Sequence, residues 1–158
     1  MARKRFQKRE RPEYDQKLLE LARVTRVVKG GRRFRFRATL IIGNRNGKVG
    51  VGVAKGADVS ESIRKAFNSA KKNMVQIRRH NNTIACETEA KVGSARVLVK
   101  PARPGRGIVA GGAVRAVTEL AGIRDIVSKS MGSANKLNLA RATVKALEQV
   151  KFLSGREK

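Results

Sequence analysis

The sequence predicts an α+β protein of two small domains, the first β-β-β-α and the second β-β-α-β-α. Three observations carry this reading. Apolar residues alternate with polar ones or glycines through residues 33–53, the signature of strands. At Asp58 the apolar spacing changes to three and four, the signature of a helix. A polar break at His80-Asn81-Asn82 then precedes a second set of alternating segments. A chain of 158 residues suffices for two such domains. The divisions are a flexible basic arm over 1–13, a first domain over 14–80, a second over 81–150 and a basic tail over 151–158.

In the first domain, LLELARVTRVV is mixed; it reads as β, and Leu18, Leu19 and Leu21 would also suit an opening helical turn. Lys29-Gly30-Gly31-Arg32 is a turn. FRFRATLII follows, with Phe34, Phe36, Ala38 and Leu40 on one face, where the two Phe are expected in the core rather than stacked on bases, and Arg33, Arg35, Arg37 and Thr39 on the other. Asn44-Arg45-Asn46-Gly47 is the next turn. In KVGVGVAKG, Val49, Val51 and Val53 share one face and Gly50 and Gly52 the opposite one, so a backbone or helix should approach closely there. Asp58 and Glu61 are spaced as a helix start. Val59, Ile63, Phe67, Ala70, Met74 and Ile77 make an apolar stripe of about five turns at 3.6 residues each. Arg64, Lys65, Lys71 and Lys72 line the outer face, and Arg78 and Arg79 close the last turns.

In the second domain, TIACETEA and ARVLVKPA read as strands joined around Lys91 to Ser94. Pro101, Pro104, Gly105 and Gly107 form a loop. AGGAVRAVTELAG is a small-residue helix ending at Gly122. IRDIVSKSMG is a third strand, and Ser133 or Asn135 caps a last helix, LNLARATVKALEQV.

Charge narrows the function. Lys and Arg total 37, Asp and Glu 12, a formal net charge of +25. No acid lies between Glu20 and Asp58 or between Glu89 and Glu119. Bases so concentrated repel one another unless a polyanion neutralises them, and a phosphate backbone does so with release of its counterions. Hydrophobic residues at 41% allow a folded core, which separates the chain from a disordered basic tail. No apolar run approaches the ~18 residues of a membrane span. Trp is absent, and no basic amphipathic helix with bulky apolar residues suits a membrane surface. No signal-peptide core follows Met1, and the single Cys86 forms no internal disulfide, so the expected location is cytoplasmic.

Enzyme motifs fail on spacing. Gly43 to Lys48 lacks the four residues between glycines, and the Ser or Thr after Lys, of a phosphate loop. Gly105 to Gly112 misplaces the third glycine of a dinucleotide fingerprint. Two readings of Gly111 and Gly112 stay open: NH groups holding a phosphate at a helix N-terminus, or close packing on a sheet. One His and one Cys build neither a zinc site nor a credible nucleophilic dyad. No metal, cofactor or small-molecule substrate is expected.

VVKGGRRFRF, NGKVGVGVAKG, SIRKAFNSAKKNM and the long run VLVKPARPGRGIVAGGAVRAVTELAGIRDIVSKSMGSANKLNLARATVKAL occur in this order. Together they resemble the bacterial small-subunit ribosomal protein S-five family from about Leu18 to Leu147. The resemblance implies a first domain like a double-stranded-RNA-binding fold without its leading helix, and a second of the α/β type named after the family. It implies small-subunit ribosomal RNA and the proteins S-four and S-eight as partners, and messenger RNA near where it enters the subunit. It also implies roles in subunit assembly and decoding accuracy. The RNA-binding set is then Arg23, Arg26, Lys29, Gly30, Gly31, Arg32, Arg33, Arg35, Arg37, Lys55, Lys71 and Lys72. The protein-facing set is Arg103, Arg106, Gly107, Gly112 and Arg115. A free-standing double-stranded-RNA-binding chaperone is the alternative, since charge alone would serve it.

Overall fold

A computed structural model describes residues 13–150; the basic tail, and all of the basic arm but its last residue, lie outside the described residues. The first unit comprises strands β1 (Asp15–Val28), β2 (Gly31–Gly43) and β3 (Lys48–Gly56), helix α1 (Val59–Lys72) and a short strand β4 (Met74–Gln76). They form an antiparallel sheet in the order β1-β2-β3-β4. β1 is a strand throughout, with a register shift between Leu18 and Glu20 in place of a helical turn.

α1 lies on the face made by Ala38, Leu40 and Ile42. It comes close because β3 presents glycines to it. A Cβ at Gly50 would sit 2.4 Å from the Ala70 carbonyl oxygen, and one at Gly52 2.1 Å from that of Ala66. The expectation drawn from those two glycines holds. The stripe on the helix is different from the expected one. Its buried line is Ser62, Ala66 and Ala70, small residues against glycines, while Ile63 and Phe67 flank them half-buried. The helix also ends four to five residues earlier than its apolar spacing suggests. Asn73 caps it, donating its backbone NH to the Ser69 and Ala70 carbonyls, and Met74–Gln76 turns back to pair with Lys48–Gly50. Met74 joins the core under α1, but Ile77 is buried in a different core. Arg78 and Arg79 therefore lie beyond the helix.

The second unit comprises β5 (Thr88–Val92), β6 (Ala95–Pro101), β7 (Ile108–Val109), α2 (Gly112–Ala121), β8 (Ile126–Gly132) and α3 (Lys136–Glu148). Its sheet order is β5-β6-β8-β7, with β7 parallel to β8. β7 was not expected; it is two residues long, too short to leave a period in sequence. The strand expected from Thr83 begins only at Thr88, because Thr83 and His80 close a tight turn through paired backbone bonds. Asn135 is the cap of α3, its side chain accepting from the Leu137 NH at 3.1 Å. Ala95, Val97 and Val99 of β6 meet α2 and α3 through Val114, Val117, Ala140 and Leu147.

The two units share this core. Ile41, Val49, Val51 and Ile77 from the first unit belong to it. The seam is closed by backbone bonds at the turn between β2 and β3. The Arg45 NH donates to the Leu120 carbonyl and the Gly47 NH to that of Ala121, both at 3.0 Å. Gly43 and Gly122 allow the approach: a Cβ at Gly122 would lie 1.9 Å from the Arg45 carbonyl oxygen, and Gly122 itself has a left-handed φ of 78°. Arg79 braces the same place, donating to the Gly122 carbonyl at 3.1 Å and to Asn46 Oδ1 at 2.6 Å. Ion pairs Asp15–Arg45 (2.7 Å) and Lys17–Glu119 (2.8 Å) edge it. The hydrogen bond from Lys17 holds the Glu119 carboxyl below its ordinary value.

Gly52→Val should lower stability by about 3 kcal/mol, since the new side chain meets backbone that cannot yield. At this size that is on the order of a 10 °C loss in thermal midpoint. Gly112→Ala, where nothing lies within 4 Å of a Cβ, should leave the midpoint unchanged or slightly raised. Thermal denaturation of both variants checks the contrast.

Candidate nucleic-acid interface

β3 pairs with β2 only from Phe36 to Gly43. Beyond that point β1 and β2 continue alone, from Arg23↔Phe36 to Val28↔Gly31, as a two-stranded ribbon. Five further residues of β2 carry it about 17 Å past the sheet at the ordinary strand rise. Its residues 21–35 contain no acid.

Directly paired residues of an antiparallel ladder share a face. Arg26 opposes Arg33, and Val24 opposes Arg35. Lys55, opposite Arg37 on β3, continues the same face. Together with Thr25 and Val28 these residues line an open groove with four cations, Arg26, Arg33, Arg35 and Lys55. Arg37 stands apart from that set. It is half-buried and reaches Glu20 Oε2 at 3.5 Å. The expected stripe of three arginines is therefore two in the groove and one at its root, with Arg26 supplying the third cation of the groove.

Arg23 and Arg32 project from the opposite face, where the partners are Phe36 and Val27. Arg23 lies over the Phe34 ring, its guanidinium carbon 4.5 Å from the ring centroid. Phe34 was expected in the core with Phe36. It is 49% exposed, because α1 reaches along this face only to Gly56, the partner of Phe36. Lys29 and Gly30 form the tip, and a Cβ at Gly30 or Gly31 would meet nothing within 4 Å.

Lys71 and Lys72 are elsewhere. The first turn of α1 sits at Gly56, near the root of the ribbon, and its last turn at Gly50. Six residue steps of strand separate the two glycines, about 20 Å. Lys71 lies 5.8 Å from the Tyr14 ring centroid at that far end.

The residues expected to face a protein lie in the loop before α2 and on its first turn. Arg103, Arg106 and Arg115 are exposed. The Arg106 NH donates to the Arg103 carbonyl at 3.2 Å, and Arg115 Nη2 to the Ile108 carbonyl at 3.3 Å. Gly105, Gly107, Gly111 and Gly112 have open space where a Cβ would be, so close packing of Gly111 and Gly112 on a sheet is excluded. Asp125 is 4% exposed and accepts from the Gly107 NH at 2.8 Å, which anchors the loop. No pattern of neighbouring residues announces that contact. Among the described residues no cluster of side chains could hold a metal ion, and no helix is long and apolar enough to cross a membrane.

Comparison with known proteins agrees with this architecture. The family profile described as ribosomal protein S5, N-terminal domain, matches residues 14–78, and that described as ribosomal protein S5, C-terminal domain, matches residues 90–154. A curated relative from Campylobacter jejuni, small ribosomal subunit protein uS5, is 50% identical over 146 residues, covering 92% of this chain and 99% of the relative. Its namesake from Thermotoga neapolitana is 49% identical over 138 residues, covering 87% of this chain and 78% of that one. Two adjoining profiles and half-identity along nearly the whole length lead to one conclusion: the chain belongs to the ribosomal protein S5 family.

Proposed function

We propose that the chain binds small-subunit ribosomal RNA by setting the groove of its hairpin ribbon along a phosphate backbone. Membership of its family makes it a structural, non-catalytic constituent of the small ribosomal subunit. The observation that carries the RNA reading is the groove of Arg26, Arg33, Arg35 and Lys55 on a projecting ribbon without acids. Shape and phosphate contacts are the usual basis of duplex RNA recognition, and a thin ribbon meets a backbone without steric obstruction. Lys71 and Lys72 would serve a separate contact with the same RNA. The chaperone alternative predicts loss from ribosomes at moderate salt, whereas a subunit constituent stays stoichiometric through co-sedimentation.

The loop from Arg103 to Arg115 we assign to a neighbouring ribosomal protein, with S-four as the partner implied by the resemblance. Its support is an open glycine surface with exposed arginines and Val109 at 44% exposure. A partner backbone approaches glycines closely, and Arg suits a carboxylate on that partner. S-eight, messenger RNA and a part in decoding accuracy belong to the same proposal.

Replacing Arg26, Arg33 and Arg35 together by Gln should weaken binding to protein-free small-subunit ribosomal RNA and flatten its salt dependence. Each lost phosphate contact lowers the log–log slope by roughly 0.9. Arg37→Gln should change the slope less, since Glu20 already engages that cation. Filter binding across a salt series checks both. Arg115→Leu should leave RNA affinity intact and raise nonsense readthrough in cells carrying only the variant, through loss of a charged contact worth ~1–3 kcal/mol. Weakened RNA binding with unchanged readthrough would move Arg115 to the RNA surface.

A further inference from the structure

We propose that the face of the ribbon opposite the groove is a nucleobase-stacking site, with Phe34 as its platform, and that its ligand is an unpaired ribonucleotide. The inference rests on the RNA-binding reading above and adds a second chemistry to it.

The two faces of the ribbon differ in kind. The groove face presents cations around Val24 and Val28. The back face presents Leu21, Phe34 and Val27, exposed to 42%, 49% and 75%. The register places these on one side, since Leu21 opposes Ala38, Thr25 opposes Phe34 and Val27 opposes Arg32. α1 covers Ala38 and the residues below it, and its first turn ends its reach at Gly56, the partner of Phe36. Phe34 keeps 49% of its surface open to solvent, and the guanidinium of Arg23 lies 4.5 Å from its ring centroid. That contact engages the ring while half of the side chain stays open to solvent.

Charge selects the occupant. Arg23 and Arg32 flank the ring, and the ribbon itself holds no acid. The nearest acids on the α1 side are those of its first turn. Glu61 there is paired with Lys65 at 2.6 Å, and Asp58 accepts from the Ser60 hydroxyl. A flat aromatic ring backed by a guanidinium, in a positive field, matches a nucleotide, which brings the π-face of its base and a phosphate together. A paired base inside a duplex shows its faces only to its stacked neighbours. The nucleotide on Phe34 is therefore bulged, looped or terminal. The ribbon is one sheet thick, so phosphates in the groove and a base behind it would hold it from both sides.

The test uses two variants of the full chain with protein-free small-subunit ribosomal RNA. The chain contains no Trp, so Phe34→Trp introduces a single indole reporter. Its emission should be quenched on saturation with the RNA, at an affinity within about twofold of the parent, because an indole stacks as phenyl does. Phe34→Leu keeps an apolar side chain but removes the flat face. It should weaken binding on the order of tenfold while leaving the salt slope unaltered. A role in ribbon packing alone would survive the change to Leu. Absence of quenching, or parental affinity of the Leu variant, overturns the stacking site. If the parent binds with a steep salt slope in that case, the groove reading stands without it. If the parent itself shows no salt-dependent binding, both readings fall. Should the Leu variant not fold, the quenching measurement decides alone.

Discussion

Two backbone hydrogen bonds hold the organisation of this molecule together. A helix leaves its last carbonyls without partners inside the helix. At the end of α2, those of Leu120 and Ala121 are taken by the Arg45 and Gly47 NH groups of the β2–β3 turn. The bonds form only because Gly43 and Gly122 bring backbone against backbone, where any Cβ would collide. They press the second unit onto the sheet of the first and seal Ile41, Val49, Val51 and Ile77 in a common core. Each such side chain contributes about 1.5–3 kcal/mol when fully buried. The peripheral ion pairs Asp15–Arg45 and Lys17–Glu119 are exposed and contribute at most about 1 kcal/mol each. Apolar burial secures the seam, and the backbone bonds set its register.

With α1 on one face and the second unit on the other, the first sheet has no free face along its lower half. The glycine track under α1 and the glycine pair at the seam are two uses of one device. Both remove side chains so that a helix lies closer than ordinary packing permits. What remains open is the part of β1 and β2 that outruns both coverings. The interface is thus defined by where packing stops: the same strand that is core at Leu40 is surface at Phe34.

This limit also explains what the sequence could and could not convey. Alternation in FRFRATLII assigned Arg33 to Leu40 to their correct faces. It carried no information on how far α1 would reach, so Phe34 was assigned to the core. The spacing of Met74 and Ile77 continued the helical stripe because each packs into a core, but the two cores differ, and a one-dimensional period does not distinguish them. Glycines that are close to a neighbour were legible where two shared a strand face, as at Gly50 and Gly52. They were not legible before α2, where Gly111 and Gly112 are open. Lys71 and Lys72 were grouped with the ribbon by charge, and only the direction in which α1 crosses the sheet separates them. Arg79 and Asp125 act through backbone groups distant in sequence, a kind of contact that leaves no motif.

The ribbon has neither a third strand nor a helix beyond Phe36, and a lone two-stranded hairpin is marginal in water. Its root takes its order from the sheet, while its tip at Lys29 and Gly30 has only ladder bonds exposed to solvent. Conformational freedom therefore grows along its length. A ligand held at the root meets an ordered surface, and one held at the tip must first restrict a fluctuating chain. Binding should accordingly show a favourable enthalpy opposed by entropy, with a negative heat-capacity change where the apolar face is covered. The same gradient lets the tip conform to an irregular surface while its root keeps a constant direction.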